Sequence, residues 1–131
     1  MRTLISAAVL LSTTQAWAAD EYVLEADHTY AYFKVEHMSR GYLTGVFKDV
    51  TGTMMIDGDK VESVSVDIDV ASVDTFNAKR DAHLKSPDYF NAKRYRKMTF
   101  RSRDVRSLGG GRYKITGDLT IRGQRRRITA E

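Results

Sequence analysis

The sequence predicts an all-β domain: an antiparallel sheet curled onto itself into a barrel, with short helical insertions. Three observations predict it. Apolar and polar residues alternate with a period of two in segment after segment. Glycine turns separate several of those segments. Only about fifteen residues carry a helical pattern. That is too few to cover the apolar faces the alternation creates, so the sheet must cover itself.

The first nineteen residues stand apart. Arg2 supplies a positive start, Leu4 to Leu11 is a short apolar run, and Ala16-Trp17-Ala18 and Trp17-Ala18-Ala19 are small-x-small sites. This is the layout of a secretory signal peptide. The run falls short of the roughly 20 apolar residues that span a bilayer. Residues 1–19 are therefore expected to be removed, leaving residues 20–131 as one domain outside the cytoplasm. The chain has no Cys, so the domain must hold together by packing and hydrogen bonding, without the disulfides many small secreted domains use.

The elements follow in order. Tyr22-Val23-Leu24 opens a strand. Ala31, Phe33 and Val35 alternate with Tyr32, Lys34 and Glu36. From Gly45 to Ile56 the pattern is irregular, because Phe47 and Val50 lie three apart and cannot share a face of an unbroken strand. A bulge or bend is expected there. Asp57-Gly58-Asp59-Lys60 reads as a hairpin turn. Val64, Val66, Ile68 and Val70 alternate with Ser65, Asp67 and Asp69. From Asn77 to Lys85 alternation stops and helix formers take over, with Asn77 as N-cap. Ser86 and Pro87 read as the cap and first residue of a second short helix through Phe90. Gly109 to Gly111 is another turn, and Tyr113, Ile115, Leu119 and Ile121 form a last apolar stripe. One apolar and one wet face per strand is how an antiparallel sheet with a single buried face reads.

The net charge of +4 is unevenly spread. Lys93 to Arg127 holds 13 Lys and Arg against Asp104 and Asp118, or +11, leaving −7 elsewhere. Such an end can attract nucleic acid or an anionic surface. Here the charges alternate with apolar residues as on a solvated sheet face. The aromatics that nucleic-acid readers interleave for stacking are nearly missing, so nucleic acid is not the expected partner.

No motif for chemistry emerges. His28, His37 and His83 lack metal-ligand spacing. There is no Cys and no Gly-x-Ser-x-Gly elbow, and the glycine run lacks the Lys and helix of a phosphate loop. No catalytic residue, metal or cofactor is expected. The inward stripes collect Phe33, Val35, Phe47, Met54, Ile56, Val64, Val66, Ile68, Phe100, Tyr113, Ile115 and Leu119. They could form an ordinary dry core, the commoner use of such stripes, or line a ligand cavity.

Several ordered segments resemble the YceI-like family. Asp27-His28-Thr29 with Phe33-Lys34-Val35-Glu36-His37 is similar to its Asp-His-Ser…Phe-x-Val-x-His opening. Gly45-Val46-Phe47 with Gly52-Thr53-Met54 resembles Gly-x-Phe…Gly-x-Ile. Ser72-Val73-Asp74-Thr75 and Arg80-Asp81-Ala82-His83-Leu84 through Phe90 resemble Ser-Val-x-Thr…Arg-Asp-x-His-Leu…Phe-Phe. Gly117-Asp118-Leu119-Thr120-Ile121-Arg122-Gly123 resembles Gly-Asp-Leu-Thr-Ile-x-Gly. The similarity runs from about Tyr22 to Ile128. It implies an extended antiparallel β-barrel of lipocalin type in the periplasm. Its interior would bind a long isoprenoid, isoprenoid quinone or fatty-acyl chain. The stripes then become a cavity lining, joined by Phe76, Leu84 and Phe90 near a tunnel mouth.

Two departures stand out. Arg96 stands where the family carries Pro. Gln124-Arg125-Arg126-Arg127-Ile128 stands where it carries Val-Thr-Lys-Pro-Val. The resulting basic rim could touch an anionic membrane. Family members continue for several more strands, so the barrel is expected to be incomplete at its C-terminal end, with an open edge that invites pairing into a homodimer. The alternative to a lipid carrier is a dry-barrel interaction module working through Arg122 to Arg127.

Overall fold

The computed structural model describes residues 18–131. All but the last two residues of the segment read as a signal peptide lie outside the described residues. Among the described residues nine strands and one α-helix follow in order: β1 (Asp20–Val23), β2 (Ala31–His37), β3 (Gly41–Phe47), β4 (Val50–Asp57), β5 (Lys60–Asp69), β6 (Val73–Asp74), α1 (Ala78–Lys85), β7 (Lys97–Gly109), β8 (Arg112–Ile121) and β9 (Gln124–Ala130). All pairing is antiparallel. One sheet has six strands in the order β1-β4-β5-β7-β8-β9, the other three in the order β2-β3-β6. Among the described residues the sheets do not join into a closed ring, and β1, β9, β2 and β6 each lack a neighbour on one side.

Alternation sets the faces. Cross-strand partners point the same way, so the register Gly52↔Val66↔Phe100↔Leu119 puts four strands' residues in one inward row. Met54 pairs with Val64, and Ile68 with Val50 and Met98, on the same face. Tyr113, Ile115, Leu119 and Ile121 fall there by period two. In the small sheet Ala31↔Phe47, Phe33↔Gly45 and Val35↔Leu43 form the matching face. The Phe33 ring lies across Gly45 so closely that any Cβ there would collide with it. The glycine is what lets that ring fold down onto the neighbouring strand.

The irregularity between Phe47 and Val50 is a change of sheet. β3 pairs with β2 and β6, whereas β4 pairs with β1 and β5. Lys48 and Asp49 make the corner. It is stitched by the Lys48 N–H to the Ser72 carbonyl at 3.2 Å, the Asp49 N–H to Ser72 Oγ at 3.0 Å, and the Asp69 N–H to the Asp49 carbonyl at 2.9 Å. The register shift of β4 comes later, between Met55 and Ile56. The Asp57 to Lys60 turn and the Gly109 to Gly111 turn form as expected, with Gly58, Gly109, Gly110 and Gly111 all at positive φ.

Helix α1 begins where the sequence places it, the Asn77 side chain accepting the Arg80 N–H at 2.9 Å. The second helix, expected from Ser86 to Phe90, does not form. Ser86 is the extended C-cap of α1, and its carbonyl accepts the Tyr89 and Asn91 N–H groups in a closing turn. Five residues are too few to repay helix nucleation.

The fully buried cluster is small: Phe47, Val70, Val73 and Met98, with Ala31, Phe33, Ile68, Leu84, Phe90 and Ala92 packed against it. Phe47 sits at its centre, 5 % exposed. Its ring centroid is 5.3 Å from that of Phe33 and 5.7 Å from that of Phe90, the latter edge-on. Such geometry adds to simple area burial.

The outward face carries the charge. Asp67 accepts Lys97 at 3.2 Å and is also bonded by Arg101. Asp118, only 7 % exposed, is held between Arg103 at 2.8 Å and Arg127 at 3.2 Å. The Arg103 hydrogen bond, then that of Arg127 and both charges, hold the Asp118 carboxyl below the usual aspartate range against the opposing effect of burial. Burial pushes Asp67 up, but the bonds and charges of Arg101 and Lys97 outweigh it and leave it lowered too.

Two outcomes are expected. Phe47→Ala should destabilise the domain by about 3–5 kcal/mol, read by chemical denaturation. Because Asp118 is depressed in the folded state, its contribution is complete above about pH 4 and drains away as pH falls through the folded value. The stability gap between the wild type and Asp118→Asn should therefore be widest near neutrality and narrow in acid; a gap that widens in acid would reverse the assignment.

Candidate functional site

A cavity of about 830 Å³ opens at one end of the two inner faces, within the size range of small-molecule sites. Phe33, Val35 and Leu43 line it from β2 and β3, Leu84 from α1, Tyr89 and Phe90 from the following loop, and Ile121 from the end of β8. The rim is polar: Glu36, His37, Arg40, Arg80, His83, Asp88 and Arg122.

Local structure explains each wall. The β2–β3 hairpin turns through Met38 and Ser39, both at positive φ (51° and 54°), closed by the Arg40 N–H on the His37 carbonyl at 3.1 Å. Three residues thus join the paired His37 and Gly41, and the left-handed backbone at Met38 and Ser39 is reached without glycine. Period two then places His37 on the inner face with Phe33 and Val35. The loop after α1 is fixed by its own backbone: the Phe90 N–H donates to the Leu84 carbonyl and the Ala92 N–H to the Lys85 carbonyl, both at 2.9 Å. Arg122, in the β8–β9 turn, reaches across to donate to the carbonyls of Tyr89 and of Pro87, the latter at 2.9 Å. A long-range guanidinium thus pins the loop that carries Tyr89 and Phe90.

Much of the rim is occupied with itself. His83 Nε2 lies 3.2 Å from Asp88 Oδ2 and its ring stands edge-on to Tyr89 at 4.9 Å. Arg80 donates to the Thr75 hydroxyl at 2.7 Å and to the Thr75 carbonyl at 2.6 Å. The Ser86 hydroxyl accepts the Asp88 N–H at 3.3 Å. Among the described residues no cluster of three or more His, Cys, Asp or Glu side chains could share a metal ion.

The expected lining residues divide. Phe33, Val35, Leu84 and Phe90 meet in the cavity. Met54, Ile56, Val64, Val66, Ile68, Phe100, Tyr113, Ile115 and Leu119 share the inner face of the large sheet and are all half-buried. Phe47 is taken up by the buried cluster. Phe76 does not face the cavity: it is 85 % exposed at the surface. Leu43, Ile121 and Tyr89 were missed as lining. Leu43 stands between two glycines whose bareness hides the alternation, Ile121 already sat in the β8 stripe, and Tyr89 is delivered by a loop without periodicity. Of the basic edge, Arg122 and Arg127 are engaged internally, and the pairing of Arg126 with Leu119 turns that guanidinium toward the apolar face. A charge so placed at an edge strand discourages edge-to-edge association.

The YceI-like domain profile matches residues 22–131. The chain belongs to the YceI-like family. It is 38% identical over 128 residues to Protein YceI of Escherichia coli O157:H7, covering 95% of this chain and 66% of that protein. It is 41% identical over 112 residues to a UPF0312 protein of Ectopseudomonas mendocina, covering 83% and 59%. The YceI protein crystal structure from Campylobacter jejuni superposes with a TM-score of 0.66 at 36% identity, covering 84% of this chain and 66% of that one. BcnA of Burkholderia cenocepacia gives 0.67 at 28% identity, covering 85% and 67%. The chain thus spans 59% to 66% of the length of these curated relatives.

Arg122→Gln should release the loop from Ser86 to Ala92. The expected cost is about 1 kcal/mol, with faster amide exchange at Tyr89 and Phe90 in hydrogen-exchange mass spectrometry while the β7–β8 amides stay protected.

Proposed function

We propose that this YceI-like chain holds a long apolar lipid chain, of isoprenoid, isoprenoid-quinone or fatty-acyl type, between its inner faces, and that it does so in the periplasm. One observation carries the reading. The inner apolar face runs across four strands of the large sheet, and most of its side chains stay half-buried; Phe47, Val70, Val73 and Met98 are buried together at one end, and Val61 beside the Asp57 to Lys60 turn. A dry core would be packed throughout. A trough that continues past the packed end offers apolar area for an extended chain, worth roughly 25 cal/mol per Å² removed from water. The cavity beneath Leu43, Leu84 and Ile121 gives that chain a mouth.

Binding of this kind needs no reacting group, only a shaped apolar surface, and the reading is of a carrier or store rather than an enzyme. Loading and unloading call for a transient encounter with a lipid surface. The basic edge favours the interaction-module alternative less, since Arg122 and Arg127 are spent on internal partners.

The reading is tested by mass spectrometry of an organic-solvent extract of the protein recovered from the periplasm. A stoichiometric isoprenoid, quinone or fatty-acyl species is expected. Leu119→Asp should lose it, and Lys114→Ala, on the outward face, should keep it. Equal retention in both folded variants would remove the inner face from the site.

A further inference from the structure

Phe76 combines two features that folding alone does not favour. Its side chain is 85 % exposed, and its backbone is left-handed at φ 62°, a region L side chains rarely adopt. Its neighbours fix this conformation. The Phe76 N–H donates to Asp74 Oδ1 at 2.8 Å. Thr75 is buried and held by Asp81, which accepts its N–H at 2.9 Å and its hydroxyl at 2.6 Å, and by Arg80. Asn77 caps α1. Strain that the surroundings over-determine points to use of the residue.

The surroundings identify the use. Lys48 and Lys85 share a depression with Phe76 beside α1, and Lys79 follows it on the first turn of that helix. Lys48 pairs with Asp74 at 3.0 Å. The Phe76 N–H first, then the Lys48 hydrogen bond and the charges of Lys48 and Lys85, lower the Asp74 carboxyl. Register sets Tyr32, Val46 and Asp74 in one row on the face opposite Phe33 and Phe47. On that face Tyr32 is 74 % exposed and Lys34 lies 4.0 Å over the Tyr42 ring. Lys34, Lys48, Lys79 and Lys85 exceed Glu36, Asp74 and Asp81 by one charge. Amphipathic aromatics among long lysine stems suit the boundary between lipid headgroups and acyl chains.

We propose that the outer face of the three-stranded sheet, with Phe76 as its wedge, docks on an anionic bilayer. This deepens the carrier reading and rests on it for its purpose, since a protein that exchanges a lipid chain must meet the membrane that holds it. It also places the contact on a different surface from the basic edge of Arg122 to Arg127. Exposed aromatic rings spread among long lysine stems, with no cluster of buried anchors, favour a bilayer over a protein partner.

The test is flotation of the full chain with phosphatidylcholine vesicles, with and without phosphatidylglycerol. The wild type should float with the anionic vesicles only. F76G should weaken this roughly tenfold while its thermal midpoint stays level or rises, because glycine accepts the left-handed backbone. K79Q and K85Q should each cost about fivefold. Wild-type protein that ignores anionic vesicles, or F76G that binds them unchanged, would overturn the proposal. So would self-association in lipid-free solution that F76G abolishes without altering vesicle binding, which would assign the face to a second copy. An empty organic extract alongside Phe76-dependent flotation would remove the cargo reading and leave the docking face standing.

Discussion

The structure depends on Phe47. It ends β3, at the last position before the chain leaves the small sheet for the large one. There its ring meets Phe33 of β2, Phe90 of the loop after α1, and the buried Val70, Val73 and Met98. Among the described residues no strand pairing joins the two sheets; they are held in a fixed relation by the stitched corner at Lys48 and Asp49 and by side chains reaching across, which this cluster supplies at one end. The cavity opens directly beside this cluster and shares Phe33, Leu84 and Phe90 with it.

The same alternation that supplies the inner face disposes of the charge. A sheet puts successive residues on opposite sides, so the basic half of the sequence becomes an outward ionic ladder. Asp67 and Asp118 gather four basic side chains between them. Exposed pairs contribute little singly, but Asp118 is shielded by its two arginines, and losing the carboxylate would leave both guanidinium groups crowded. Part of the charge that looks like a binding footprint in the sequence is therefore paired within the sheet.

Turns shape the functional ends. Met38, Ser39, Phe76 and Arg122 all hold positive φ without being glycine. Met38 and Ser39 turn the hairpin at the cavity rim, Arg122 turns β8 into β9 and pins the opposite wall, and Phe76 is displayed beside the helix. Side chains that glycine would discard are kept at places where the backbone must bend sharply. The cavity and the exposed aromatic therefore belong to one organisation, a rigid sheet framework with its distinctive chemistry at the connections.

The sequence by itself determined β2, β5 and β8 with their inward stripes, the Asp57 to Lys60 and Gly109 to Gly111 turns and the Asn77 cap, but not β3, whose glycines hide its alternation, nor β7, whose alternation a register shift after Ser102 breaks. These are local properties: period two assigns each residue a face, and a cap or turn is settled within four residues. Tertiary structure alone decided which stripes meet. It made Phe47 core rather than lining, brought Leu43, Tyr89 and Ile121 to the cavity, and turned Ser86 to Phe90 into a pinned loop instead of a helix. It also turned Phe76 out to solvent. Those outcomes rest on sheet order and on contacts such as Arg122 to Pro87, 35 residues apart, and no local pattern encodes how far the chain travels before two faces close on one another.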